Sequence, residues 1–172
     1  LHNWALLAER DVREGDAVEI QRAGEVIPEI VRVFADERSP DSQPIEPPSE
    51  CPACNGPLHL EGKFLYCSNI DCTAQLVGRI VHLASRRAFD IEGLGPKQVE
   101  QLVAAQLVTS VEDVFDLRPK QDQLLELERW GKRSTQNLLK QIDARKSLPL
   151  GRFLNGLGIR QVGSHMIRVN NF

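Results

Sequence analysis

CPACNGPLHLEGKFLYCSNIDC, residues 51–72, holds all four cysteines of the 172-residue chain. The spacing is Cys51-x2-Cys54, twelve intervening residues, then Cys67-x4-Cys72. Two thiolate pairs on tight turns, joined by a short loop, are what a tetrahedral zinc site requires. Pro52, Gly56 and Asn69 suit such turns. Between the pairs, LHLEGKFLYC predicts two short strands around Glu61-Gly62-Lys63, a ribbon with almost no core of its own. So little apolar area cannot fold alone, and bound metal would supply most of the folding energy. Three alternatives stay open. Two disulfides would need an oxidising compartment, of which the sequence carries no sign. A redox CxxC belongs before a helix in a βαβ setting. A catalytic zinc keeps an open position, with His or carboxylate often among its ligands. His59 lies in the loop and reads as a surface residue.

Upstream, EGDAVEIQRAGEVIPEIVRVF places Val18 and Ile20 in alternation with Glu19 and Gln21, the period of a half-buried strand. Ala23-Gly24 breaks it, and EIVRVF resumes as a second strand. On propensity this is a piece of a small β structure, a Greek-key barrel or any hairpin. DERSPDSQPIEPPSE then reads as an exposed linker, with a module boundary near residues 36–50.

Downstream the period becomes helical, with Leu76, Val77, Ile80, Val81 and Ala84 on one stripe. Gly93-Leu94-Gly95 follows, and Pro96 suits the first position of the next helix. Glycines there permit φ > 0 and leave amides uncovered at a helix N-terminus, a phosphate-binding arrangement to which Lys97 adds charge. Trp130-Gly131 repeats the pattern ahead of Lys132 and Arg133, and Val162-Gly163 repeats it after Arg160. Gly95, Gly131 and Gly163 are 36 and 32 residues apart, as in a helix-hairpin-helix array. Each turn taken singly could be an ordinary αα-turn with a glycine C-cap. The second has Arg129 where the first has Gly93, so either it lies less close to a bound backbone or Arg129 itself reaches a phosphate.

Net charge is −3, but residues 1–50 carry −7, residues 51–74 carry −1 and residues 75–172 carry +5. This asymmetry allows a polyanion-binding surface on the C-terminal part only, and a well-solvated helical domain rich in Lys and Arg would carry the same charge. No apolar run approaches a membrane span.

Several motifs in order resemble the bacterial NAD-dependent DNA ligases. RAGEVIP at 22–28 is similar to a motif of their OB-fold domain, and CPACNG with YCSNIDCTAQ to their four-cysteine zinc finger. VHLASRRAFDIEGLG and LNGLGIRQVG are similar to segments of their helix-hairpin-helix domain. The resemblance implies a multi-module chain. Residues 1–35 would be part of an OB fold, 36–50 a linker, 51–74 a zinc finger, and 75–172 an all-α helix-hairpin-helix domain, truncated at its end.

It further implies the DNA-clamping portion of an enzyme that seals nicks in duplex DNA in replication and repair. In the parent, NAD adenylates a lysine with Mg2+ present, and AMP passes to the 5′-phosphate before the 3′-hydroxyl displaces it. That lysine lies in Lys-x-Asp-Gly, a context none of lysines 63, 97, 120, 132, 140 and 146 has. The fragment is expected to be inactive alone. Structural zinc would be held by Cys51, Cys54, Cys67 and Cys72. Candidate DNA contacts are Gly93, Gly95, Lys97, Arg129, Gly131, Lys132, Arg160 and Gly163, with Arg22 and Gly24 on the OB side. The expected partner is nicked duplex DNA, met through backbone and minor groove by a cytoplasmic, bacterial monomer with no membrane contact. A zinc-ribbon and helix-hairpin-helix binder from another repair protein is the alternative, and an interaction scaffold a third. Trp130 is read as a packing residue. His2, His82 and His165 have no evident partner, and Arg86 and Arg87 are read as serving a helix end.

Overall fold

The computed structural model describes residues 4–23 and 27–159. It divides into two compact units, residues 1–69 and 70–172.

The first unit opens with a short helix, α1 (Trp4–Glu9), and an antiparallel pair, β1 (Val18–Ala23) and β2 (Ile27–Val33). The alternation at Val18 and Ile20 does produce a strand, but the register slips between Glu19 and Ile20. Such a bulge turns side chains relative to the pleat, and Ile20 and Val31 are exposed while Ile30 is buried. Gly24, the glycine read as the strand break, lies outside the described residues.

Arg38 fastens the start of the segment read as a linker. Its guanidinium donates to both carboxylate oxygens of Asp16, at 2.8 and 2.9 Å, and to the Asp11 carboxylate and carbonyl at 2.6 Å each. Arg13 adds a bond to the Ser42 carbonyl at 3.1 Å. Arg38 holds both Asp16 and Asp11 below the usual carboxylate range, with Arg13 the largest influence on Asp11. The unit ends in a second hairpin, β3 (Leu58–Glu61) and β4 (Phe64–Cys67), joined through Gly62 at φ 61°.

The second unit is helical. Its main helices are α2 (Thr73–Ala84), α3 (Pro96–Ala104), α4 (Gln121–Leu125), α5 (Lys132–Ala144) and α6 (Leu150–Gly156), with 3-10 turns at Glu112–Asp116 and Arg118–Lys120. The stripe on α2 faces inward, with Leu76, Ile80, Leu83 and Ala84 buried and Val77 and Val81 partly so. These join Val99 and Leu102 of α3, and Leu138, Leu139 and Ile142 of α5, in one apolar core. Burial at about 25 cal/mol per Å2 makes this cluster the main source of the unit's stability.

The turn between α2 and α3 is held from α6. Arg152 donates to the carbonyls of Ala88 (2.7 Å) and Arg86 (2.8 Å), and Asn155 donates to that of Arg87 (2.9 Å). Arg86 and Arg87 thus offer their main-chain carbonyls to side chains of α6. His82 has a partner too: its Nε2 donates to the Asn155 carbonyl at 2.7 Å. Among the described residues no helix is long and apolar enough to cross a membrane.

Candidate metal centre and nucleic-acid interface

The four cysteines converge. Their Sγ atoms all lie within 4.8 Å of one another, and Cys54 and Cys67 are 3.6 Å apart. A zinc ion bound at about 2.3 Å by four sulfurs separates them by about 3.8 Å, so the donor set fits with small adjustments.

Local backbone explains the convergence. Asn55 N–H bonds the Cys51 carbonyl and Cys51 N–H bonds the Gly56 carbonyl, both at 2.8 Å, with Asn55 in the left-handed region at φ 54°. The Gly56 N–H points at Cys54 Sγ (3.4 Å), and Cys72 caps the N-terminus of α2. The Asn69 amide draws the Cys67 thiol down, but burial and the neighbouring Cys54 and Cys51 sulfurs outweigh it and push it up to about 11. Four bare thiolates repel at this spacing, and a divalent cation is what relieves them. Among the described residues, His59 is outside the cluster and faces Tyr66 across the hairpin, ring centres 5.9 Å apart.

The two described glycine turns share one backbone course. Gly93 has φ 88° and Arg129, its counterpart, has φ 68°. Leu94 and Trp130 follow, both buried, at 3% and 8% exposure. Gly95 (φ −86°, ψ 176°) and Gly131 (φ −77°, ψ 156°) then serve as N-caps of α3 and α5. Arg129 thus takes the course glycine takes in the first turn, at a cost of order 1–2 kcal/mol for a non-glycine in that region.

Neither cap glycine is demanded by its surroundings. Both have negative φ, and a Cβ on Gly131 would meet only Ser134 Oγ at 3.8 Å, an ordinary contact. On Gly95 it would meet Gln98 Oε1 at 3.1 Å, the far end of a flexible side chain. Helical bonding resumes with Val99 N–H to Gly95 and Thr135 N–H to Gly131, both 3.0 Å. The amides before them are the unpaired donors of a helix start.

Lys97, Arg129, Lys132 and Arg133 are exposed around these turns. A groove of about 710 Å3 joins the turns, lined among others by Gly93, Lys97, Gln101, Arg129, Trp130 and Ser134. Glu100 and Glu128 also line it. The exposed Glu128–Arg129 pair, at 3.4 Å, is too solvated to hold the arginine in place. Arg22 is exposed on β1, opposite Pro28. Arg160 and Gly163 lie outside the described residues.

Sequence reasoning missed Gln101. Its Oε1 accepts the Trp130 indole N–H at 2.8 Å and its Nε2 donates to the Glu128 carbonyl at 3.2 Å. A polar residue at one position of an amphipathic helix gives no sign of such a partner.

Residues 1–42 match the family model of the NAD-dependent DNA ligase OB-fold domain. The similarity to curated proteins runs through the rest of the chain. A DNA ligase of Coprothermobacter proteolyticus is 45% identical over 163 residues, covering 95% of this chain and 24% of that protein. One of Methylacidiphilum infernorum is 46% identical over 95% of the chain and 23% of its own length. The sequence belongs with the bacterial NAD-dependent DNA ligases. A ligase of Rhodospirillum rubrum, 44% identical over 98% of the chain and 26% of that protein, agrees. The chain spans about a quarter of the length of the curated ligases it matches.

Proposed function

We propose that this chain is the DNA-gripping portion of a nick-sealing, NAD-dependent ligase, and that residues 75–172 form a helix-hairpin-helix domain. The observation that carries the proposal is the matched pair of turns. Each buries an apolar side chain, presents a glycine with no internal steric reason, and opens a helix whose first amides have no partner within the helix. Such a glycine is explained by close approach of something outside the chain, and unpaired amides at the positive end of a helix favour an anion. Two such sites and exposed basic residues suit successive phosphates of a duplex, gripped without reading sequence.

Gly93, Gly95 and Gly131 admit the DNA backbone in this reading, and Lys97, Arg129 and Lys132 supply charge. Arg160 and Gly163 extend the series, and Arg22 and Gly24 contribute from the OB side, residues 1–35. Residues 36–50 act as the linker, and residues 51–74 form a zinc finger in which Cys51, Cys54, Cys67 and Cys72 hold the ion. Bound zinc supplies a rigid tie between the two cysteine turns and no chemistry on the substrate. The working location is the bacterial cytoplasm and the working form a monomer. NAD and Mg2+ act at groups of the parent enzyme outside these residues, and the chain alone forms no AMP adduct.

The test is Gly131→Val, at a position where a Cβ would meet only Ser134 Oγ, at an ordinary 3.8 Å. Duplex affinity should fall at least about ten-fold while helix content and zinc content stay those of the unaltered chain. Unchanged affinity would remove the second turn from the interface.

A further inference from the structure

Phosphate-binding turns act together on a stiff duplex only if their separation is fixed, because freedom between them is lost on binding. Among the described residues, the side-chain bonds of Gln101 are the polar tie between the first turn's helix and the second turn. Gln101 stands on α3, one helical turn after Lys97 and therefore on the same face. Its amide cannot be placed either way round. The indole N–H of Trp130 can only donate and the carbonyl of Glu128 can only accept, so Oε1 must face Trp130 and Nε2 must face Glu128. One side chain thereby grips residues on both sides of Arg129. The apolar counterpart is Leu138 of α5, whose Cδ1 would lie 3.9 Å from a Cβ on Gly93.

Substitutes fail for definite reasons. Methionine fills the space but leaves the indole N–H and the carbonyl without this partner. Glutamate keeps the Trp130 bond but sets a carboxylate against the Glu128 carbonyl and adds negative charge to the groove.

From these contacts we propose that Gln101 is a positioning residue: it holds the second turn, with Arg129, at a fixed spacing from the first, with Lys97, so that both meet one duplex. This rests on the DNA-gripping reading above. Gln101 itself needs no contact with DNA.

The test uses the zinc-loaded chain and its Gln101→Met variant, with two readouts. Spin labels on unnatural side chains at Glu100 and Asn137 leave the cysteines untouched and report the distance between α3 and α5. Binding of a short duplex across salt concentrations reports the phosphates engaged. Gln101→Met should broaden the distance distribution and make the log–log salt slope shallower by about 0.9 per lost phosphate contact. In a Gly131→Val background, where the second turn is already blocked, it should change the slope no further. An unchanged distance distribution overturns the positioning role, whatever happens to DNA. A broadened distribution with an unchanged slope overturns the coupling to DNA. A broadened distribution in a chain that binds no duplex at all overturns the DNA reading and leaves Gln101 as the tie between the turns.

Discussion

Gly156 of α6 lies directly against the ring of Phe89: a Cβ built on the glycine would stand 2.5 Å from Cε2 and 2.7 Å from Cδ2. Phe89 is buried, and its ring also neighbours Phe115 and Phe153, with centres 5.3 and 6.2 Å away. The ring therefore has little room to retreat. Gly156→Ala should cost about 1–3 kcal/mol through overpacking. The expected sign is a lower urea midpoint with an unchanged slope. An unchanged midpoint would mean that α6 can move away freely.

Gly56 plays the same part between the cysteine turns. A Cβ there would meet Asn69 Cβ at 2.9 Å and Cys54 Sγ at 3.2 Å. Gly56→Ala should weaken zinc binding in a chelator competition, because the turns must part to admit the methyl. Gly78→Ala is the control. It is in α2 with nothing within 4 Å of the new atom, and should leave zinc affinity unchanged. Equal zinc affinity in both variants would contradict the close approach of the turns.

Removing the metal should act locally. The hairpin of β3 and β4 leaves Leu60 and Phe64 exposed, at 61% and 52%, and has little core to replace the tie. Chelation should abolish hydrogen-exchange protection across residues 58–67. The helical core of the second unit, built on Ile80, Val99, Leu102 and Ile142, should keep its protection. Loss of both together would show that the metal supports far more than the hairpin.

Asp113 gives the helical unit an acid limit. Its Oδ2 accepts the Thr109 amide (2.7 Å), the Thr109 hydroxyl (2.8 Å) and the Ser110 amide (2.9 Å). Those bonds, the Thr109 amide foremost, hold its carboxyl down at about 2, below the ordinary 3.8. The folded form thus binds this proton less readily than the unfolded form. Its contribution to stability is full above about 3.8 and is lost as the pH falls toward 2. Asp113→Ala should be less stable than the unaltered chain at neutral pH, and the two curves of urea midpoint against pH should converge across that window. Parallel curves would mean that these bonds do not distinguish the ionised carboxyl.

Where the determinants are local, the sequence announces them. The cysteine spacing marks out the cluster because each pair is set by a turn of a few residues, and Glu61-Gly62-Lys63 marks the hairpin for the same reason. Gly93, Gly95 and Gly131 mark the two turns. Arg129 is less legible, since a glycine pattern gives no warning that arginine will adopt the same left-handed backbone. Polar ties across the chain leave no periodic trace at all. Gln101 and Trp130 are 29 residues apart, Arg38 and Asp16 are 22, and Asn155 and Arg87 are 68. Each depends on packing that is settled elsewhere in its unit.

The most direct measurement is a titration of the zinc-loaded chain with nicked and intact duplex across salt concentrations. If the turns grip phosphates, log affinity should fall linearly with log salt, with a slope of about −0.9 for each phosphate neutralised. Gly95→Val should flatten it. A folded, zinc-loaded chain whose affinity ignores salt, or is untouched by Gly95→Val, would contradict the assignment of these turns to DNA.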